Sequence, residues 1–228
     1  MSQVKINKNL IKQIEDEAKK YFQKASGCHD WTHVERVRAL ALKIGKKEKA
    51  DLGILELAAL LHDICRCEEM ENKGKVCHAE KGSEKAKTIL KRFGVDAETI
   101  DKIVHCIISH RQRNNYNPES IEAKILFDAD KLDIIGAVGI GRLFVFAGYI
   151  GAFIKGKPFY TGQEKIHAKN NKKYVWTKDD SAILEYETHG KYIINKLYTK
   201  EGRRIGRERH NYMKKFFERF WQEVNVEK

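Results

Sequence analysis

The sequence predicts an all-α protein. Apolar residues recur at helical spacing almost from end to end, and strand-like alternation is weak everywhere. Only two prolines, Pro118 and Pro158, interrupt 228 residues. Leu, Ile, Val and aromatic residues are spread throughout, so the chain buries a real core although 33% of it is charged, which argues against disorder.

The elements follow in order. Residues 7–26 predict a first amphipathic helix, stopped by Gly27. Asp30 or Thr32 caps a second, whose Val34, Val37, Leu40, Ala41 and Ile44 form one i, i+3, i+4 stripe. Asp51 opens a third, GILELAALLHDI, apolar nearly all round and therefore central. A polar loop is expected over 65–78, then helices over 79–93, 97–110 and 119–133. Gly94 separates the first two, and an Asn/Pro-rich break at 114–118 precedes the third. The Gly-rich run at 135–154 reads as a helix whose glycines permit close packing. Residues 155–178 read as a long excursion, part hairpin or lid, and helices at 179–199 and 201–224 close the chain. The expected organisation is one domain over 1–228: a core of 25–150, an excursion at 151–178, and C-terminal helices at 179–228 packing on the core.

The formal charge is +12, with +4 in residues 1–150 and +8 in residues 151–228. Such an excess suits phosphorylated small molecules, nucleic acid or a membrane surface. The longest charge-free apolar piece, Leu143–Ile154, is too short to span a bilayer, and the N-terminus lacks a signal-peptide core. Five irregularly spaced cysteines form no CxxC, which disfavours a disulfide framework or zinc ribbon. A cytoplasmic protein with no membrane partner is expected; oligomeric state is left open.

The most informative dipeptide is His62-Asp63, placed where an apolar helix ends. Neighbours inside a helix point about 100° apart, but at a helix end both can turn toward one cation. Mixed His/Asp ligation suits a divalent metal such as Mn, Fe, Ni, Zn or Mg. His33 in HDWTHVERV and Asp130 in ILFDADKLDIIG lie on other expected helices, with Asp128 and Asp133 competing for the role of Asp130; Asp133 shares its face at i, i+3, and Asp128 points elsewhere.

The order His33, His62-Asp63, Asp130, with the flanks HDWTHVERVRALALKI, ADLGILELAALLHDICR and EAKILFDADKLDIIGAVGIGRLF, resembles the HD-domain superfamily of metal-dependent phosphohydrolases. The closing RRIGRERHNYMKKFFERFWQEV is also similar to the end of one branch, the predicted HD phosphohydrolases. That resemblance covers most of the chain. It implies a helical bundle with a metal held in a cleft by His33, His62, Asp63 and Asp130, and it selects Asp130 over its rivals. His78 and His110 resemble the extra pair that some members use for a second metal, so one cation or two is implied. His29, one turn before His33, reads as a supporting or structural residue, and His105 lies off the His110 face.

Phosphoester or phosphoanhydride hydrolysis explains why these groups belong together. A metal polarises the phosphoryl group and makes water acidic enough to supply hydroxide at neutral pH. Asp63 is then placed to orient or deprotonate the water. Arg36 and Arg66 are the catalytic cations expected within a turn of ligands, and Arg111, Arg113 and Lys131 are further candidates for substrate phosphate. Glu68 and Glu69 are candidates for a general base or acid, but read mainly as a solvated acidic loop. The expected substrate is a nucleotide or a similar small phosphorylated compound. The alternative is a nucleic-acid-binding protein that keeps the same fold and uses its basic C-terminal helices.

Overall fold

The computed structural model describes residues 5–25, 27–112, 114–170, 174 and 176–228, and among these there is no β-strand. Eleven α-helices are described: α1 (Lys8–Lys19), α2 (Trp31–Glu48), α3 (Leu52–Leu61), α4 (Arg66–Glu71), α5 (His78–Arg92), α6 (Ala97–Ser109), α7 (Ile121–Leu132), α8 (Gly136–Gly151), α9 (Glu164–His167), α10 (Ala182–Thr188) and α11 (Lys200–Val224). Short 3₁₀ turns cover Lys20–Phe22, Gly27–His29 and Gly190–Lys196. Packing density divides the chain into two compact units, Met1–Asp130 with Tyr198–Gly202, and Lys131–Leu197 with Arg203–Lys228.

In the first unit the helix starts are set by side-chain caps. Asp30 accepts from the backbone N–H groups of Thr32 and His33, Asp51 from those of Gly53 and Ile54, and Asp96 from that of Thr99. Helix α3 is the hub and packs on α1, α2 and α6. That position explains its all-round apolar sequence: Leu55, Leu57, Ala58, Ala59, Leu60 and Leu61 are all fully buried. Helix α5 packs on α6 beside it. Asp128, on α7, points away from Asp130 and is completely buried. Its carboxylate accepts from the backbone N–H of Tyr198 (2.8 Å) and from both the N–H (2.8 Å) and hydroxyl (2.6 Å) of Thr199.

In the second unit, α8 packs against α10. Asp133 pairs with Arg142 (2.9 Å), and Tyr186 stacks on Phe217 with ring centroids 4.0 Å apart. The apolar side of α11 is covered, with Ile205, Met213 and Phe217 buried. No single described helix is long and apolar enough to cross a membrane.

Several expectations need correction. The first helix ends at Lys19 and hands over to a 3₁₀ turn, because successive i→i−4 bonds stop before Gly27. The polar segment 65–78 contains α4, which buries Glu69 rather than leaving a solvated loop. Residues 155–178 hold the short helix α9 and no hairpin among the described residues. The span 179–199 is broken at His189 into α10 and a 3₁₀ turn. Of the α8 glycines, Gly139 does sit where a Cβ would collide with the Ile134 carbonyl at 2.1 Å, whereas Gly141 and Gly148 face open space and support no close packing.

Candidate metal centre

Five helix ends of the first unit converge on one cluster. His33 lies in the first turn of α2, located there by the Asp30 cap. His62 closes α3, and the chain then leaves helical geometry for a turn through Asp63, Ile64 and Cys65. That break lets adjacent His62 and Asp63 face the same space. His78 is the first residue of α5, His110 closes α6, and Asp130 lies in the last turn of α7. All six are buried; Asp130 is the most exposed at 8%.

The ligand atoms fall into three overlapping groups, each within 4.8 Å internally: His33, His62 and Asp130; Asp63, His78 and His110; and His29, His33 and Asp63, of which His29 is the one residue not buried. In the first, His33 Nε2 lies 3.3 Å from His62 Nε2 and 3.4 Å from Asp130 Oδ1. In the second, His78 Nε2 lies 3.1 Å from His110 Nε2 and 3.1 Å from Asp63 Oδ1. Asp63 joins the two: its Oδ2 is 3.6 Å from His33 Nε2 and 3.8 Å from His62 Nε2, while its Oδ1 is 3.7 Å from His110 Nε2.

Hydrogen bonding decides what these nitrogens offer. The Nδ1–H of His62 donates to the Ala59 carbonyl (2.7 Å) and that of His110 to the Ile107 carbonyl (2.5 Å). Both carbonyls belong to last helical turns, where the backbone has no helical N–H to satisfy them. The Nδ1–H of His78 donates to Glu69 Oε2 at 2.6 Å. Each Nε2 therefore presents a lone pair inward. Lone pairs facing each other at hydrogen-bond distance, beside two carboxylates, repel unless a cation lies among them. Imidazole nitrogens and carboxylate oxygens are also the donor set that a divalent transition metal takes, so the residues fit such an ion.

Electrostatics agree with that arrangement. Burial pushes the His62 imidazole from 6.5 down to about 4, and burial also lowers His110, keeping both neutral. Burial alone raises the Asp63 carboxyl, but the histidines around it, His62 and His78 first, outweigh burial and hold it well below the usual carboxylate range. The His62 ring therefore binds fewer protons in the folded than in the unfolded chain between pH 6.5 and about 4, whereas the Asp180 carboxyl, pushed up to about 6 by burial, binds more there. With that opposing group removed, the stability of Asp180→Asn in chelator should fall as pH drops through the window, by about 3 kcal/mol at the low end. Urea denaturation of that variant at pH 7.5 and pH 4.5 measures this, and equal stabilities would contradict a buried neutral His62.

The other expected site residues are placed as follows. Arg66 and Arg111 both ion-pair with Glu69, and each also lies 3.1 Å from His78 Nδ1. Arg66 additionally donates to His29 Nε2 (2.9 Å), and His29 Nδ1 is 4.0 Å from Asp63 Oδ2. Arg36 donates to Thr32 Oγ1 at 3.0 Å, one turn back on α2. Lys131 follows Asp130 in sequence and belongs to the second unit. Arg113 lies outside the described residues. His105 Nε2 accepts the Glu119 N–H (3.1 Å), away from the cluster. All five cysteines are free thiols, with Cys65 and Cys67 hydrogen-bonded to Glu68 and to the Tyr21 carbonyl rather than to one another. Sequence reasoning named Glu69 only as a general base or acid in an otherwise solvated loop and missed its burial: it is 3% exposed. Its one local signal is the i, i+3 spacing from Arg66.

Comparison with known proteins agrees with the geometry. Residues 30–135 match the family model described as HD domain. The chain is 36% identical over 203 residues to the uncharacterized protein YpgQ of Bacillus subtilis, covering 87% of this chain and 86% of that one. The crystal structure of B. subtilis YpgQ in complex with ADP resembles it with a TM-score of 0.69 at 30% identity, over 94% of this chain and 95% of that one. A predicted HD superfamily hydrolase from an uncultured Thermotogales bacterium gives a TM-score of 0.61 at 27% identity, over 93% and 92% of the two chains.

Proposed function

The chain belongs to the HD-domain family, and from that premise we propose that it is a metal-dependent phosphohydrolase acting on a nucleotide or a similar small phosphorylated compound. The observation that carries the reading is the convergence of four imidazole Nε2 atoms, of His33, His62, His78 and His110, on the two oxygens of Asp63. A nucleotide substrate draws support from the ADP complex of the B. subtilis relative.

In this reading His33, His62, Asp63 and Asp130 hold one divalent cation, and Asp63, His78 and His110 hold a second. When bound, such ions supply Lewis-acid polarisation of phosphoryl oxygens and a lowered pKa of water. The remaining work falls to side chains. The Nδ1–H bonds of His62, His78 and His110 keep their rings in one orientation, so the donor atoms need no rearrangement as substrate arrives. Asp63, an ionised carboxylate at neutral pH, orients a water and takes its proton at a carboxylate oxygen. Arg66 and Arg111 sit beside His78 and are the guanidiniums assigned in this reading to the charge that equatorial phosphoryl oxygens gain. Arg36 is the further catalytic cation in this reading. The protein is taken as cytoplasmic.

Purified protein incubated with a nucleotide panel should release inorganic phosphate or pyrophosphate when Mn²⁺, Ni²⁺, Zn²⁺ or Mg²⁺ is added. Excess chelator should stop release, and re-addition of metal should restore it. Hydrolysis that persists at the same rate in chelator, or no hydrolysis of any phosphorylated compound with any of these ions, would overturn the proposal. Tight, steeply salt-dependent binding to nucleic acid without turnover would favour the nucleic-acid reading instead.

A further inference from the structure

We propose that Glu69 is the positioning residue that makes Asp63, His78 and His110 a cation site in its own right, by fixing which ring nitrogen of His78 carries the proton. The inference rests on the metal-centre reading above and adds the residue on which its second half depends.

The reason lies in where each histidine stands on its helix. His62 and His110 come at helix C-termini, so a carbonyl three residues earlier accepts the Nδ1–H of each. No side-chain substitution removes those carbonyls. His78 opens α5, so no helical carbonyl precedes it and its Nδ1–H must find a side-chain acceptor. Glu69 is that acceptor, reaching it from the preceding helix α4 at 2.6 Å.

Glu69 is suited to this by charge and by having two oxygens. Oε1 takes Arg111, and Oε2 takes both Arg66 and the imidazole N–H. Glu69 is 3% exposed, and both of its oxygens are engaged by these donors. With His78 Nδ1 protonated, its Nε2 lone pair meets Asp63 Oδ1 and His110 Nε2, both 3.1 Å away. Were the proton on Nε2, it would point into the cluster and exclude a cation. The guanidiniums, being donors only, cannot hold His78 in the required form; each would favour an unprotonated Nδ1.

Glu69→Gln tests the idea. It leaves one acceptor oxygen for two guanidiniums and one imidazole N–H, and removes the charge. Chelator-treated full-length protein is titrated with Mn²⁺ by calorimetry, and metal content is checked by mass spectrometry. The wild type should take two equivalents. In Glu69→Gln the first should bind within about threefold of wild type and the second about 10–100-fold more weakly. Side-chain ¹⁵N NMR of metal-free protein should show His78 as the Nδ1–H form in the wild type and shifted toward Nε2–H in the variant, a change that loosened packing alone does not produce. Should Glu69→Gln fail to fold, the Arg66→Gln/Glu69→Gln double variant, which removes a buried cation along with the anion, carries the same measurement. Two equivalents bound by the variant with wild-type affinity, or an unchanged His78 form, would overturn the inference. A wild type that binds one equivalent would overturn it while leaving the metal-centre reading standing; a wild type that binds none would overturn both.

Discussion

Replacing Asp63 with alanine is expected to abolish phosphate release, by on the order of 1,000-fold or more, and to empty both proposed cation positions. Among the described residues Asp63 is the carboxylate that faces both histidine groups, with Oδ2 3.6 Å from His33 Nε2 and Oδ1 3.1 Å from His78 Nε2. No neighbour substitutes for it, because Asp130 Oδ1 is grouped with His33 and His62 only. The variant should still fold: His62 is neutral at pH 7, so removal of the anion strands no buried cation on that ring. Metal content by mass spectrometry, phosphate release and a urea melt on the same preparation check the three statements. A variant with full metal content and full turnover would show that the site lies elsewhere.

Asp128→Ala should have the largest effect on stability, at about 3–5 kcal/mol, although the residue is two positions from Asp130. Its carboxylate satisfies the Tyr198 N–H, the Thr199 N–H and the Thr199 hydroxyl inside a fully buried pocket. Thr199 Oγ1 in turn accepts the Gly202 N–H at 3.0 Å, so Asp128 holds the residue that caps the start of α11. An alanine strands these donors, each costing about 1–3 kcal/mol when buried without a partner. In a chain of this length the midpoint of thermal unfolding should fall on the order of 10 °C. Gly202→Ala tests the same contact from the other side, because a Cβ there would lie 2.3 Å from Asp128 Oδ2. Metal content of folded Asp128→Ala should match the wild type. Scanning calorimetry with metal analysis separates this structural role from ligation; loss of metal at full stability would reverse the assignment.

Much of the site was legible because its residues stand at helix ends, and helix ends are written locally. Asp30 and Asp51 are caps read from one side chain and the residues after it. The His62-Asp63 pair signalled itself by ending an apolar helix, and His110 by ending another. Asp128 was separable from Asp130 by reasoning on one helix face; Asp133 shares that face and was set aside only by the family resemblance, and it pairs with Arg142 in the second unit.

Glu69 was not legible. Its neighbours in sequence are acidic and polar, as in a solvated loop, and its burial depends on Arg111, 42 residues away, as well as on Arg66. The role of Asp128 depends in the same way on Thr199, 71 residues further on. The break at His189 and the end of the first helix at Lys19 also escaped periodicity, which reports how long an apolar face runs and not where the hydrogen bonds change from i→i−4 to i→i−3.

The sequence by itself determined the all-α class and the helices of the first unit other than α4, and, with the family resemblance it carries, named the histidines and aspartates that meet there. Those depend on apolar spacing, on caps and on residue chemistry, all of which act over a few positions. Tertiary structure alone decided that Asp63 divides its two oxygens between two histidine groups, that Arg66 and Arg111 are tied to Glu69, and that Asp128 holds the start of the last helix. The physical reason is the same in each case. A buried charge is tolerated only with its partners at hydrogen-bond distance, and those partners are brought together by the packing of helices far apart in the chain.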